Sequence, residues 1–573
     1  MNTYLNHCGI VCALGANLDE VRHRLLVEER SGLSMTERWS KGRSLPLGVV
    51  QSALPSLSHL PLALQSRNNQ LALAALDQIR PAITQAIAQY GADRIAIVVG
   101  TSTSGISETE TALRSQHANN ATQNDAHPHW PAEFHYAQQE MGSLASLIAS
   151  EFKISGPAYA HSSACSSSAK AMASAARLLK MGVVDAVICG GADSLCDFTV
   201  AGFSALESVS EKACQPMSAD RDGINIGEGA AFFLMTKAAS GVAFCGWGES
   251  SDGHHMSAPD PSGAGAKIAI KAALERAGIS AAEVDYINMH GTATVQNDAM
   301  ESRVIAELFG SEILVSSSKA FTGHALGAAA AIEAALCWIC LQEDNRIGRV
   351  PAHLWNGHAD TRLPTLNLAP VGAALGRPLR YILSNSFAFG GSNASLILGA
   401  NIQTDPRKQN SDLDIRSLVP HASRMVLLDR VVNADAESLC AEVKLEQHSL
   451  FCEAGLIGAW VGIEYMAQAI AAHAGYLAQE KSEAVKVGFL LGTRRYASHI
   501  AHFNVGQILH IRVKALLRSE NGLGSYECEI IDSAQPKHIL ASATITVFQP
   551  DNAQEFLGAE SLDHATSNAQ GPN

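Results

Sequence analysis

Short apolar runs that end in glycine recur along residues 1–400. Three of them are "RIAIVVGTSTSG" (94–105), "DAVICGGADS" (185–194) and "VDYINMHGTAT" (284–294). Each predicts a buried strand running into a loop, because a continuous apolar run must bury both faces. Between them lie Ala- and Leu-rich segments with helical spacing at 71–90, 169–182, 267–278 and 326–342. Strands alternating with helices predict an α/β layer fold. The small residues of those helices point to close packing inside a multilayer core.

The pattern breaks near residue 400. "GANIQTDPRKQNSDLD" (399–414) is polar, contains Pro and Asn, lacks periodicity and reads as a linker. One strong helix follows, "WVGIEYMAQAIAAHAGYLAQ" (460–479), then the strand-like "VGQILHIRVKALL", "GSYECEIID" and "ILASATITVF". A single helix with a run of long strands predicts a separate α+β domain. The polar tail from 551, "DNAQEFLGAESLDHATSNAQGPN", reads as disordered.

Composition narrows the function. At 573 residues the chain is too long for one ordinary domain. With 47% hydrophobic and 17% charged residues it is globular. A net charge of −14 argues against nonspecific nucleic-acid binding and leaves room for a local basic patch. The start, "MNTYLNHCGIVCALGANLDE", lacks the basic and apolar regions of a signal peptide. No long uncharged apolar run is present, so no membrane span is expected. The 12 cysteines are then read as reduced thiols of a cytoplasmic protein. "CWIC" (337–340) lies in a run with the apolar density of a buried helix and reads as core, not as a redox or zinc site. His254 and His255 are adjacent, point in different directions and have no third ligand. Their segment, "GHHMSAPDPSG" (253–263), reads as a substrate-channel loop, and no metal site is expected.

"SSACSSS" (162–168) places Cys165 among serines, directly before a helical segment. The positive end of a helix dipole favours the thiolate there. A small buried core residue would look the same, since free Cys is among the most buried residue types. Two later segments favour chemistry. "NMHGTATVQNDAMES" (288–302) sets His290 at a strand end, and "SSSKAFTGHALGAAAAIEAAL" (316–336) sets Lys319 and His324 before a small-residue helix. Two histidines and a lysine at strand-to-helix corners, in a chain with a candidate thiolate, form a constellation for nucleophilic catalysis.

Five motifs in order carry a resemblance: "SSACSSS", "ADRDGINIGEGA" (219–230), "MHGTAT", "SSSKAFTGHALGAA" and "SNSFAFGGSNASLIL" (384–398). Residues 1–400 resemble a β-ketoacyl-acyl-carrier-protein synthase of the Cys–His–His type, in the thiolase-like superfamily. The resemblance implies a duplicated five-layer αβαβα domain, with one half at 1–240 carrying the nucleophile and the other at 241–400 carrying both histidines. It implies that Cys165 attacks the thioester of an acyl carrier protein. His290 and His324 would stabilise the enolate left when a malonyl unit loses carbon dioxide, through Nε–H donors. Lys319 would support the field and orient His324. The N–H groups of Cys165 and Phe389 would form an oxyanion hole, with Gly390 in the same turn. Thr292 and Thr294 would bond the phosphopantetheine arm that the carrier supplies. Related thiolases lack the His–His pair, and a chain-length factor lacks the nucleophile. The chain departs from the family at Ala388, where "FAFGG" replaces "GFGG", and Gly permits backbone angles that Ala resists.

"LVPHASRMVLLDRVV" (418–432) sets His421 beside a proline, and "GIEYMAQ" sets Glu464 on an apolar helix. A buried carboxylate is costly without a role. At a helix start it is also favourable in its own right. The two segments resemble hot-dog-fold 3-hydroxyacyl-carrier-protein dehydratases. That resemblance covers 413–550, after a linker at 401–412 and before the tail at 551–573. It implies that His421 removes the α proton and Glu464 protonates the leaving hydroxyl. N–H groups near Gly462 would polarise the thioester carbonyl, and His and Glu would meet across a dimer interface. The family's "HFP" and "PG" pieces are absent, and the helix is similar to that of dehydratases from bacterial aryl polyene pathways. No G-x-G-x-x-G fingerprint follows a strand, so a ketoreductase must be a separate partner. The expectation is a bifunctional acyltransferase and hydro-lyase. It would work with an acyl carrier protein, as a homodimer or as a heterodimer with a chain-length-factor-like synthase. The rival expectation is a fatty-acid elongation enzyme whose C-terminal module only binds carrier protein or acyl chain.

Overall fold

The computed structural model describes residues 3–122, 130–400, 415–421, 425–480, 485–519, 522–534 and 538–550. The expected linker at 401–412 and tail at 551–573 lie outside these residues. The chain divides into two compact units, Met1–Ile402 and Gln403–Asn573.

The first unit holds an 11-stranded sheet. In chain order its strands are β1 (Thr3–Cys12), β2 (Ile95–Gly100), β3 (Ala158–His161), β4 (Ala186–Asp193), β5 (Gly229–Thr236), β6 (Val242–Ser251), β7 (Tyr286–Met289), β8 (Leu314–Ser317), β9 (Asn367–Leu368), β10 (Tyr381–Ala388) and β11 (Ser392–Gly399). The spatial order is β9-β8-β7-β10-β11-β6-β1-β5-β4-β2-β3. The two halves join where β1 pairs with β6 over Thr3–Leu5. Every residue of β2, β4 and β5 is buried, which is why these strands read as unbroken apolar runs.

Helices α1 (Arg67–Leu76), α2 (Ser167–Lys180), α3 (Ala264–Ala277), α4 (Val295–Phe309) and α5 (Ala329–Cys340) complete the layers. Helix α1 covers β1, β4 and β5 on one side, and α3 covers β6 and β11 on the other. Helices α2 and α5 touch each other and strands of both halves, so they form the central layer. The five layers are thus built on one continuous sheet. The central layer explains the small residues: Ala169, Ala171, Ala173, Ala175 and Ala176 of α2, and Ala330, Ala331, Ala334 and Ala335 of α5, are all buried. Cys337 and Cys340 are buried in α5, as core residues should be.

The second unit wraps α6 (Gly462–Glu480) in a six-stranded antiparallel sheet. Its strands are β12 (Arg430–Ala434), β13 (Ser438–Lys444), β14 (Phe489–Ser498), β15 (Ile508–Arg518), β16 (Leu523–Asp532) and β17 (Ile539–Phe548), in the order β12-β13-β15-β16-β17-β14. Along β15 the residues Leu509, Ile511 and Val513 alternate into the core, where they join Met466, Ala469 and Ile470 of α6. One helix laid across a curved antiparallel sheet is the hot-dog arrangement. Among the described residues, no helix is long and apolar enough to cross a membrane.

The end of β2 fixes where α2 begins. A Cβ at Gly100 would lie 2.3 Å from the Ser168 nitrogen and 2.5 Å from its Cα. Sheet and helix therefore meet backbone to backbone, three residues after Cys165. Gly100→Ala should lower stability by about 1–3 kcal/mol through overpacking. Thermal unfolding checks this, and an unchanged transition would contradict the close approach.

Candidate active site

Cys165 sits in a turn between β3 and α2. Ala164, just before it, has a φ of 50°, a left-handed conformation that costs an L-residue energy. The serines hold the turn. Ser167 Oγ donates to the Ala164 carbonyl at 2.6 Å and accepts the Ser163 N–H at 2.8 Å. Ser168 Oγ accepts the Ala331 N–H at 2.9 Å and ties α2 to α5. Cys165 is only 5% exposed. The helix start was expected to favour the thiolate. Instead burial dominates and pushes the thiol up to about 11, against the pull of Lys319 and the Phe389 N–H.

His290 follows β7. Its own N–H and that of Gly291 both donate to the Glu301 carboxylate of α4 at 2.8 Å. Burial pushes that carboxyl up to about 7. His324 is held by its backbone, donating to the Asn225 carbonyl at 2.7 Å and accepting from Gly227 at 2.9 Å. Its Nε2 lies 3.0 Å from Cys165 Sγ. The two imidazoles meet edge to face with ring centres 5.4 Å apart. Burial, reinforced by the Lys319 charge, holds both well below the ordinary histidine value, so both are neutral near pH 7. The Nδ1 atom of each is buried with no hydrogen-bond partner among the described residues. A buried N–H without an acceptor costs more than an unused lone pair, so the proton belongs on Nε2 in both rings.

Lys319 was expected to orient His324. Its Nζ instead donates to the His290 carbonyl at 2.8 Å and pairs with Glu333 of α5. Lysine and glutamate are each 2% exposed. Lys319 therefore grips the backbone of one histidine while its charge reaches both rings.

Cys165, His290 and His324 border a cavity of about 60 Å³ that Thr292, Thr294 and Phe389 also line. The two threonine hydroxyls are 2.9 Å apart. Ser257, Ala258 and Pro259 of the expected channel loop line it as well. His254 and His255 are exposed. Ala388 takes φ −97° and ψ 156°, ordinary extended backbone, so replacing the family glycine introduces no strain. Gly390 carries the left-handed turn at φ 81°, and its N–H donates to the Met256 carbonyl at 2.8 Å.

In the second unit, His421 Nε2 lies 3.8 Å from Glu464 Oε1 within a single chain. Two contacts set this spacing. A Cβ at Gly475 would lie 2.0 Å from the Leu418 carbonyl oxygen, so the segment leading to His421 rests directly on α6. Gln468 is fully buried one turn after Glu464. Its amide donates to Glu464 Oε1 at 2.9 Å and to the Met425 carbonyl at 2.8 Å, and accepts the Leu427 N–H at 2.8 Å. A cavity of about 430 Å³ runs from this pair along Ala467, Ala471, Ala474 and Ala478 of α6. Gly462 does not line it, and its N–H bonds the carbonyls of the preceding turn, Ala459 and Trp460. That N–H is spent and cannot serve as the expected donor.

Sequence reasoning missed Glu301, Glu333 and Gln468. Each lies on a helix at a position that becomes buried only on assembly. A charged or amide residue inside "AAIEAAL" or one turn after Glu464 was the available signal.

A thiol beside two imidazoles in a layered α/β fold is the arrangement of the thiolase-like class. The comparisons agree, and the chain belongs to the β-ketoacyl synthase family. Residues 67–240 match the β-ketoacyl synthase N-terminal domain and 242–348 its C-terminal domain. Residues 413–558 match the ApeP dehydratase family. The 3-oxoacyl-[acyl-carrier-protein] synthase 2 of Staphylococcus aureus is 31% identical over 324 residues, 53% of this chain and 77% of the relative. The corresponding synthase of Rhizobium meliloti (strain 1021) is 38% identical over 280 residues, 45% of this chain and 65% of the relative. The chain thus spans just under two thirds of that relative's length. The solved ketosynthase ApeO, in complex with its chain length factor ApeC from Xenorhabdus doucetiae, superposes with a TM-score of 0.64 at 43% identity. That match covers 70% of this chain and 98% of the other.

Two predictions follow from the buried site. Alkylation of Cys165 by iodoacetamide should rise about tenfold per pH unit from about pH 7 to about pH 9, because the thiolate fraction grows until the raised thiol titrates. A plateau near neutrality, read by peptide mass spectrometry, would contradict the raised thiol. Lys319→Ala should cost about 3–5 kcal/mol, because Glu333 is left buried and unpaired. Denaturant titration checks this, and the double change Lys319→Met with Glu333→Leu should recover most of the loss.

Proposed function

We propose that this chain is a bifunctional β-ketoacyl-acyl-carrier-protein synthase and 3-hydroxyacyl-carrier-protein dehydratase of aryl polyene biosynthesis. The observation that carries the reading is the pairing, in one chain, of the Cys165–His324 contact with the His421–Glu464 pair. The match to the ApeP dehydratase family and the likeness to ApeO support the pathway.

In the synthase half, Cys165 Sγ attacks the acyl thioester of a carrier protein. The new carbon–sulfur bond forms as the pantetheine sulfur leaves with the thiol proton. The N–H groups of Cys165 and Phe389 hold the oxyanion. Malonyl carrier protein then binds, its phosphopantetheine arm along Thr292 and Thr294. Carbon dioxide leaves, and the Nε2–H groups of His290 and His324 stabilise the enolate oxygen. The enolate carbon attacks the acyl group and expels the Cys165 thiolate. The buried setting strengthens each of these hydrogen bonds.

A separate ketoreductase supplies the 3-hydroxyacyl chain. His421 takes its α proton, and Glu464 gives a proton to the departing hydroxyl, leaving a trans double bond. Repeated cycles without further reduction build a conjugated chain. The functional division follows the sequence, with nucleophile and histidine halves at 1–240 and 241–400 and the dehydratase at 413–550. A cytoplasmic protein would find its carrier protein, its reductase and a chain-length-factor-like synthase there. That partner would form a heterodimer in place of a homodimer.

Reconstitution with an aryl starter, malonyl carrier protein and a separate reductase tests the reading. The intact chain should release conjugated, coloured products. Cys165→Ala should stop chain growth altogether. Glu464→Ala should slow dehydration by ~10²–10⁴-fold while condensation continues, so 3-hydroxyacyl carrier protein accumulates. Dehydration that persists at full rate in Glu464→Ala would mean that the C-terminal unit only binds.

A further inference from the structure

Lys170 contradicts two local rules. It lies in the opening turn of α2, where the helix dipole disfavours a cation. It is also half-buried, and burial together with the like charge of Arg177 presses its ammonium toward the neutral form. A residue that breaks local rules in a well-packed element is a candidate for a compensating role. Activating the thiol is not that role, since the charge that reaches Cys165 is that of Lys319.

The hydrogen bonds of Lys170 run elsewhere. Its Nζ donates to Ser392 Oγ at 2.6 Å. Ser392 Oγ lies 2.9 Å from Ser166 Oγ, and Ser166 Oγ donates to the Ser163 carbonyl at 2.9 Å. The first link has a fixed direction, because an ammonium only donates, so Ser392 accepts from Lys170. Ser166 Oγ continues the chain with contacts to Ser392 Oγ, the Ser163 carbonyl and Ser163 Oγ. The order is Lys170 to Ser392 to Ser166 to the Ser163 carbonyl.

The ends of this chain are informative. Ser392 opens β11, immediately after the Phe389–Gly391 turn. Ser163 precedes the strained Ala164 and then Cys165. The two backbone N–H groups of the oxyanion hole thus belong to two separate segments, and the Lys170 chain crosses between them. Two backbone anchors of the Phe389 turn lead to residues 252–256: Gly390 N–H to the Met256 carbonyl, and Asp252 N–H to the Gly391 carbonyl at 2.9 Å. Met256 is 79% exposed. The Phe389 N–H also reaches the Cys165 thiol, and Ala388 pairs with Ser392. To these the chain adds a side-chain link between the two turns.

We propose that Lys170 is a positioning residue that locks the Phe389 turn to the Cys165 turn and so sets the spacing of the two oxyanion donors. The proposal rests on the synthase reading above. Lys170 touches neither thiol nor substrate. Its effect is confined to steps that place negative charge on a thioester oxygen.

Two reactions of the same sulfur separate this role from a structural one. Acylation of Cys165 by hexanoyl-N-acetylcysteamine needs the oxyanion hole. Alkylation by iodoacetamide displaces iodide at a saturated carbon and does not. Both are followed by mass spectrometry of the Cys165 peptide in the full chain. In Lys170→Met the acylation rate should fall about tenfold or more, short of or reaching the loss of one oxyanion donor. Alkylation should be unchanged, and Lys170→Arg, which keeps a donor for Ser392, should recover most of the acylation. Ser392→Ala removes the acceptor with little change of volume and should reproduce the acylation defect, which keeps the test decisive where Lys170→Met folds poorly. Equal rates in Ser392→Ala and wild type would overturn the proposal, as would acylation and alkylation falling together in both variants. If wild type itself is never acylated at Cys165, the synthase reading fails with it.

Discussion

The buried ion pair between Lys319 and Glu333 organises the synthase site. Its ammonium also holds the carbonyl of His290, so one side chain joins the end of β7, the start of the His324 turn and the central helix α5. Burying a charge pair is expensive and is tolerated only where the geometry is nearly complete. Here the cost is offset by what the pair fixes. The Lys319 charge lies close enough to both imidazoles to oppose their protonation, and burial acts in the same direction. Two neutral rings with Nε2–H donors are what an enolate oxygen requires, whereas two imidazolium rings would clash with each other and with Lys319.

The two sites handle water differently. Cys165, His290 and His324 are nearly inaccessible, in keeping with an enolate that must not be quenched by solvent. His421 and Glu464 remain about one third exposed, at 31% and 39%. Dehydration releases water and tolerates its presence. The first site is set by desolvation and the second by the placement that Gln468 and Gly475 impose. A dimer interface is not needed to bring His421 and Glu464 together.

Much of the fold was legible because it follows from composition and period. Buried strands such as β2 and β4 read as unbroken apolar runs, and Ala-rich segments read as the central helices. The hot-dog unit was legible as one helix among long alternating strands. The candidate catalytic side chains stood out through their motifs. Their environment was not. A helix start suggested a lowered thiol at Cys165, but the five layers bury it so completely that desolvation outweighs the dipole. The partner of Lys319 could not be read either, since Glu333 lies 14 residues away on a helix whose inner face only the fold defines. Gly462 looked like an N–H donor at a helix start, but the helix is entered through a tight turn that consumes that N–H. Ala388 looked like a strained replacement, and its extended backbone removes the difficulty. These readings depended on burial or on backbone angles, which a linear pattern does not carry.

The central claim is that desolvation and Lys319 keep both histidines neutral with their protons on Nε2. Nitrogen-15 NMR of the histidine-labelled chain measures this directly, since imidazole shifts separate the two tautomers and the cation. His290 and His324, assigned through single His→Asn changes, should show neutral Nε2–H rings from about pH 6 to about pH 8. An imidazolium at either position near neutral pH, or a proton on Nδ1, would contradict the account.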